Sequence, residues 1–223
     1  MELINILLLA FGLGLLHALD VDHLLAVSGL SGMRSQGMKH SLAFSVRWAL
    51  GHGSSVLIVG SLVLFFGMAV PEKFSSIAER LIGFMLLGIG LMLLLDWSRK
   101  RSSLTMHRHD KMPLHVHIDT VKPVNPMHQH KHGTVLVGLL HGAAGSAPLL
   151  LLLPLANMNS PVLGIAYLLL FSLGVLLSMM IFGGLLGNFF ARLQKTNGQR
   201  VESLRLLLSI IMLSFSMYWL SGA

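Results

Sequence analysis

Long apolar runs, separated by short polar segments, dominate this chain. A helix needs about 20 apolar residues to cross a bilayer, and six runs reach that length. The predicted spans are residues 3–30, 42–69, 78–97, 134–157, 161–191 and 203–221. The pattern predicts an all-α integral membrane protein with six transmembrane helices. Because the first, second and fifth runs exceed the required length, we expect those helices to be tilted or broken.

The six predicted spans form two groups of three. The tetrapeptide Gly-Leu-Leu-His at residues 14–17 recurs at 138–141, and Leu-Gly at residues 50–51 recurs at 173–174. The nearly constant offset predicts two related halves. Since each half contains an odd number of spans, the second must be inverted in the membrane. Inverted repeats with a broken first helix are a recurring transporter architecture.

A polar linker over residues 99–133 divides the chain into a first three-helix repeat, residues 1–98, and a second, residues 134–223. Its high charge and low hydrophobicity predict a flexible loop without a core of its own. Clustered imidazoles in such a segment can bind transition metals weakly, although a solvated linker could have the same composition. The histidines of this loop are His107, His109, His115, His117, His128, His130 and His132.

A polar cluster, His17-Ala-Leu-Asp20-Val-Asp22-His23, interrupts the first span. Ionisable groups are expensive in hydrocarbon and usually mark an ion or substrate pathway. On an ideal helix His17, Asp20 and His23 share an arc of about 120°, whereas Asp22 lies roughly opposite Asp20. If both carboxylates bind one ion, the helix must unwind here; otherwise Asp22 supports a ligand or pairs with Arg47. The alternative is a hydrogen-bonded cluster that only fixes helix packing.

Two further histidines in apolar surroundings are candidate metal ligands. His52 lies in the second span within Leu-Gly-His-Gly-Ser-Ser-Val, where Ser54 and Ser55 are candidate oxygen ligands or pathway-lining residues. His141 occupies the place of His17 in the second repeat but has no acidic companion. One main ion site is therefore expected rather than two. Either histidine could instead be a packed, hydrogen-bonded core residue.

The composition supports a membrane protein and excludes several functions. Hydrophobic residues make up 54% of the chain and charged residues 11%, against roughly 25% charged residues in soluble domains. The net charge of +7 does not indicate nucleic-acid binding, because the basic residues lie between apolar runs, where they determine topology. The absence of cysteine excludes disulfides, thiolate metal sites and thiol exchange across the membrane.

The distribution of basic residues predicts an orientation in a bacterial inner membrane. Most lysines and arginines lie in the first loop, the histidine-rich loop and the loop before the last span. The positive-inside rule places these loops in the cytoplasm and both termini outside. The first apolar run has no preceding positive residue and resumes after the polar cluster, so we expect a retained span rather than a cleaved signal peptide.

Residues 17–23 resemble the signature of the nickel/cobalt transporter family, and the segment around His52 is similar to that family's second characteristic motif. The small size and the Gly-Leu-Leu-His141-Gly-Ala-Ala-Gly-Ser segment look most like its short, six-span, UreH-like members. The resemblance implies passage of Ni²⁺ or Co²⁺, with the two histidines and two aspartates of the first motif essential for binding. The chain departs from longer members, which carry further acidic motifs in later spans.

Imidazole and carboxylate ligands suit borderline divalent ions, so the sequence predicts a non-enzymatic transporter that binds Ni²⁺ or Co²⁺ as substrate and holds no permanent cofactor. Its expected partners are membrane lipid and cytoplasmic metallochaperones, with no nucleic acid. Without a Gly-x4-Gly-Lys-Ser/Thr motif, the energy for transport must come from gradients or a partner.

The alternatives to transport are a non-transporting accessory or sensor protein for metalloenzyme maturation, a haem-binding redox protein or a membrane metalloenzyme. The predicted ligands are His17, Asp20, Asp22, His23, His52 and His141.

Overall fold

Seven helices form from the apolar runs in the part of the chain that the computed structural model describes. The described residues are 2–34, 38–66, 72–102, 104–107, 115–118, 131–143 and 160–221. The helices are α1 (Glu2–His17), α2 (Val21–Arg34), α3 (Met38–Phe66), α4 (Glu72–Ser102), α5 (Lys131–Ala143), α6 (Pro161–Thr196) and α7 (Gly198–Leu220).

Four helices, α3, α4, α6 and α7, are long and apolar enough to cross a membrane. Together α1 and α2 pass the same test as one span bent by 52°. The described part of the predicted fourth span, α5, is a shorter apolar helix, and residues 144–157 of that span lie outside the described residues. The structure thus confirms a helical integral membrane protein with a broken first helix, and the fourth span, over residues 134–157, stays a prediction.

The break between α1 and α2 has a backbone cause. The amide of Leu19 donates to the carbonyl of Leu16 at 2.9 Å, and that of Asp20 donates to the carbonyl of His17 at 3.0 Å. These i→i+3 bonds tighten the end of α1 into a turn. The amide of Leu24 then donates to the carbonyl of Asp20 at 3.0 Å, which begins α2. The first span therefore breaks inside the polar cluster, as predicted.

Glycines allow α1 to cross α6 in close backbone contact. A Cβ atom on Gly14 would meet the backbone carbonyl of Phe171, and one on Gly174 would meet that of Phe11. Only glycine leaves room for backbones this close. The two contacts are reciprocal, since each helix supplies one glycine and one carbonyl.

The crossing of α5 and α3 repeats these contacts. A Cβ atom on Gly138 would meet the backbone carbonyl of Trp48, and one on Gly51 would meet that of Val135. All four residues correspond to those of the first crossing by an offset of 123 or 124 positions. The same pair of glycine contacts therefore occurs twice, and each crossing pairs one helix of the first half with one helix of the second.

Helices α4 and α7 pack lengthwise against each other and take no part in the two glycine crossings. A Cβ atom on Gly90 would lie 3.2 Å from the side chain of Leu213. Arg205 is 3% exposed, and its Nη1 atom lies 2.7 Å from Glu202 and 3.5 Å from Asp96. The Arg205–Asp96 ion pair therefore joins the two helices.

The large apolar side chains divide between a packed interior and an outer surface. Trp48, Tyr167 and Phe171 are fully buried among the central helices. Phe66 and Leu185 are 71% and 64% exposed. Exposed side chains of this size on apolar helices are expected where the helices face lipid.

The linker adds a short hairpin to the otherwise helical fold. Strand β1 (Leu104–His107) pairs antiparallel with β2 (His115–Ile118), and His107 lies opposite His115. Apolar and polar residues alternate along both strands, which is a strand signal. The rest of the linker between α4 and α5 lies outside the described residues.

Candidate metal centre

Four histidines from four helices meet beside the break in the first span. His17 is the last residue of α1, and His23 lies in the first turn of α2, so the break brings both to one place. His52 lies near the middle of α3 and His141 in the last turn of α5. The glycine crossing of α3 and α5 brings these two helices together. All four histidines are at most 3% exposed.

Three of these residues, His17, His23 and His52, form a group that we call the histidine centre. One ligand atom from each lies within 4.8 Å of the other two. Nε2 of His17 is 3.2 Å from Nε2 of His52. Two neighbouring ligands on an ion with bonds of about 2.0–2.1 Å stand roughly 2.9–3.4 Å apart. The His17 and His52 nitrogens are therefore spaced as two ligands of one ion, and a ligand atom of His23 lies within 4.8 Å of both.

Carboxylates accept hydrogen bonds from the Nδ1 atoms of two of these rings. The Nδ1–H of His17 donates to Oδ2 of Asp20 at 2.8 Å, and the Nδ1–H of His23 donates to Oδ1 of Asp22 at 3.1 Å. Each bond places the proton on Nδ1 and leaves a lone pair on Nε2, and the lone pair of His17 accepts a hydrogen bond from Nε2 of His52. Metal-binding histidines usually have such a partner on the second nitrogen. The two aspartates therefore fix the tautomer and the orientation of two imidazoles.

Two nitrogens of the centre are buried without a hydrogen bond among the described residues. They are Nε2 of His23 and Nδ1 of His52. Leaving a buried polar atom unpaired costs about 1–3 kcal/mol. A cation bound between the three Nε2 atoms would offset that cost at Nε2 of His23, whereas Nδ1 of His52 lies on the far edge of its ring.

The two aspartates differ in burial and in their partners. The side chain of Asp20 is 40% exposed, whereas that of Asp22 is 10% exposed. Besides His23, Asp22 approaches His141, with 3.7 Å between Oδ2 and Nε2. The Nδ1–H of His141 donates to the carbonyl of Val137 at 3.3 Å. Asp22 therefore lies between two histidines, an arrangement that was not predicted from the sequence.

Two aromatic side chains pack against the histidines, and neither was predicted from the sequence as part of the site. Phe171 stacks on His17 with ring centroids 5.6 Å apart. Trp48 lies 6.1 Å from His23 and 5.0 Å from His141. The spacing of Trp48, one helical turn before His52, was the available signal. These rings enclose the centre in apolar material, where electrostatic interactions are strong.

The two predicted serines differ in position, and the loop histidines have no described side chains. Ser54 is exposed, and its hydroxyl donates to the carbonyl of Leu50 in its own helix at 2.7 Å. Ser55 is 6% exposed and faces α5 beside Gly142. Of the loop histidines, three belong to the hairpin strands, and the structure describes only their backbone. The other four, His109, His128, His130 and His132, have no described side chain.

Comparisons with known proteins give a family and three relatives. The family model described as cytochrome c biogenesis protein transmembrane region matches residues 9–218. Urease accessory protein UreH of Bacillus sp. strain TB-90 is 32% identical over 190 residues, which cover 83% of this chain and 78% of the relative. The high-affinity nickel transport protein of Cupriavidus necator is 31% identical over 77 residues, which cover 34% of this chain and 22% of the relative.

The third relative is the chloroplast protein FOR GROWTH AND FERTILITY 1 of Arabidopsis thaliana. It is 27% identical over 203 residues, which cover 89% of this chain and 54% of the relative. No solved structure is significantly similar to the chain. The sequence contains no cysteine, so the centre has no thiolate ligand.

Proposed function

Because the chain belongs to the family of cytochrome c biogenesis transmembrane regions and to the UreH-like nickel/cobalt transporter group, we propose that it transports Ni²⁺ or Co²⁺ across a membrane. The observation that carries the proposal is the histidine centre, whose three ligand atoms lie within 4.8 Å of one another. Imidazole nitrogens suit both ions. The ion is the substrate, and no permanent cofactor is required.

The proposed binding step begins at the break between α1 and α2. An arriving ion exchanges part of its water shell for Nε2 of His17, His23 and His52. Asp20 and Asp22 keep the first two rings in the ligating tautomer and supply negative charge near the ion. Because a protonated imidazole cannot ligate, binding weakens as the medium becomes acidic.

We further propose that the two halves of the chain are inverted repeats. The matching glycine contacts at the two helix crossings support this arrangement. Under the positive-inside rule, the protein lies in a bacterial inner membrane with both termini outside. The histidine-rich linker then faces the cytoplasm, where its imidazoles would exchange metal with metallochaperones.

An accessory or sensor role without flux is the second candidate, because one relative is named a urease accessory protein. Such a protein would bind the ion at the same centre and pass it to a partner or report its presence.

The spacing of the histidine rings favours a metal ion over the haem alternative. The rings of His17, His23 and His52 lie only 4.8–5.2 Å apart, which suits a bare ion better than a macrocycle between them.

Uptake of radiolabelled Ni²⁺ and Co²⁺ into proteoliposomes of the purified chain tests transport. We expect saturable uptake that a variant with His17→Ala and His52→Ala loses. His40→Ala is the matched control, since His40 lies on α3 about 18 Å along the helix axis from His52. Metal binding without uptake would contradict transport and support the accessory role. A Soret band in the purified protein would support the haem alternative.

A further inference from the structure

Asp22 and His141 form a pair of candidate ligands beside the histidine centre. Oδ2 of Asp22 lies 3.7 Å from Nε2 of His141, which is too long for a hydrogen bond. His141 is fully buried, and its Nε2 has no hydrogen-bond partner among the described residues. The nitrogen thus faces a carboxylate without bonding to it, as two ligands on either side of an ion would.

The ring of His23 separates this pair from the histidine centre. Its Nδ1–H donates to Oδ1 of Asp22 at 3.1 Å, so Asp22 lies at the Nδ1 edge. Its Nε2 remains for His17 and His52, whose ring centroids are 4.8 and 5.2 Å away. Because the two nitrogens of an imidazole diverge, the two sets of ligands are adjacent but distinct.

The geometry of the pair suits a divalent transition metal. An ion with bonds of about 2.1 Å to both atoms would subtend roughly 120° at their separation of 3.7 Å. One carboxylate and one imidazole are ligands that nickel and cobalt accept. With two protein ligands instead of three, this pair should bind the ion more weakly than the histidine centre does.

We propose that Asp22 and His141 form a second cation station, which the ion occupies before or after the histidine centre. The role of this station in passage rests on the proposed function, whereas its binding of metal can be tested separately. His141 lies on α5, so the station joins the two halves of the chain. An ion that moves past the ring of His23 exchanges its ligands stepwise and never regains a full water shell. Repulsion between two dications this close keeps the occupancy at one ion.

Trp48 provides a local reporter for both stations. Its ring centroid lies 5.0 Å from that of His141 and 6.1 Å from that of His23. The other two tryptophans are Trp97 on α4 and Trp219 on α7. Replacing both by phenylalanine leaves Trp48 alone, and paramagnetic Co²⁺ bound beside it should quench its fluorescence.

The test measures Co²⁺ binding to the full chain with Trp97→Phe and Trp219→Phe, by equilibrium dialysis and by Trp48 quenching. Adding His52→Ala weakens the histidine centre and exposes the second station. We expect this protein to bind one Co²⁺ about 10- to 100-fold more weakly than its parent, with quenching retained. Adding His141→Ala should weaken binding at least 10-fold further and shift the quenching to correspondingly higher Co²⁺ concentrations.

Asp22→Asn in place of His141→Ala is a second variant, which keeps the size of the side chain and an acceptor for His23. It should also weaken binding at least 10-fold, while His40→Ala in the same background should change nothing. If neither His141→Ala nor Asp22→Asn weakens binding in the His52→Ala background, the second station is overturned. Loss of all binding on His52→Ala alone, in a protein that elutes as the parent does, would also overturn it. Failure of transport would appear separately, as absent uptake by the wild-type chain.

Discussion

The two helix crossings at the centre share a backbone arrangement but differ in chemistry. At both, glycines bring backbones into contact, and a buried histidine follows, His17 in the first half and His141 in the second. The first half adds two aspartates and His23 beside the helix break. On α6, the position that corresponds to His52 by the offset of 123 is Val175, which is fully buried. The difference teaches that the same glycine contacts can bring helices together with or without ionisable side chains beside them.

The largest expected effect comes from removing ligands of the first half. We expect His17→Ala to lower Ni²⁺ uptake more than about 100-fold, because it removes a direct ligand, whereas outer-sphere losses typically cost 10- to 100-fold. His141→Ala, at the corresponding place in the second half, should lower uptake about 10-fold. Proteoliposome uptake, normalised to protein content, measures both. Equal losses in the two variants would contradict a concentration of ligands in the first half.

A smaller effect should show that the two crossings are alike as scaffolds. Gly14→Ala and Gly138→Ala each force a methyl group against a backbone carbonyl, and overpacking costs typically 1–3 kcal/mol, so we expect about that loss of stability in each. Gly12→Ala is the matched control, because a Cβ atom there would have no neighbour within 4 Å. It should be neutral or stabilising by up to about 1 kcal/mol. Thermal unfolding in detergent compares the three, and a stable Gly138→Ala would show that the crossings differ.

The packing of α4 against α7 should affect stability without affecting metal binding. Arg205 is buried, but its partners Asp96 and Glu202 are 40% and 26% exposed, so solvent screens the pair. We expect Arg205→Ala to destabilise the protein by about 1–2 kcal/mol, with Ni²⁺ affinity within twofold of wild type. Arg200→Ala, an exposed arginine of the same helix, is the control for thermal unfolding and dialysis. A large loss of affinity in Arg205→Ala would mean that this pair communicates with the centre.

The smallest expected effect separates two adjacent serines of α3. Since Ser54 is exposed and bonds within its own helix, Ser54→Ala should leave uptake within twofold of wild type. Ser55→Ala should reduce uptake somewhat more, because Ser55 is buried against α5 beside Gly142, the residue after His141. Initial uptake rates at subsaturating Ni²⁺ would resolve the difference. A strong loss in Ser54→Ala alone would place the pathway on the other face of α3.

The sequence predicted the features that depend on neighbouring residues. A polar cluster in an apolar run indicated the break, and His17, Asp20, Asp22 and His23 are close in space because they are close in the chain. His52 was a candidate because glycines and serines surround it in a span. Adjacent residues differ by about 100° on a helix, so Ser54 and Ser55 could not both face the centre.

The sequence did not predict which helices cross. Leu-rich helices offer many equivalent faces, and the glycines that select one face stand among 23 in the chain. For that reason the contacts of Trp48 and Phe171 with the histidines were missed, as was the place of Asp22 between His23 and His141. The hairpin was missed because the polar composition of the linker obscured the alternation of its strands.

The central claim is that the histidine centre binds the transported ion, and X-ray absorption of the Ni²⁺-loaded, purified chain tests it most directly. We predict a nickel shell with three imidazole nitrogens at about 2.0–2.1 Å, and the loss of one imidazole in His52→Ala. A shell of water and carboxylate oxygens, or an imidazole count that His52→Ala leaves unchanged, would contradict the claim.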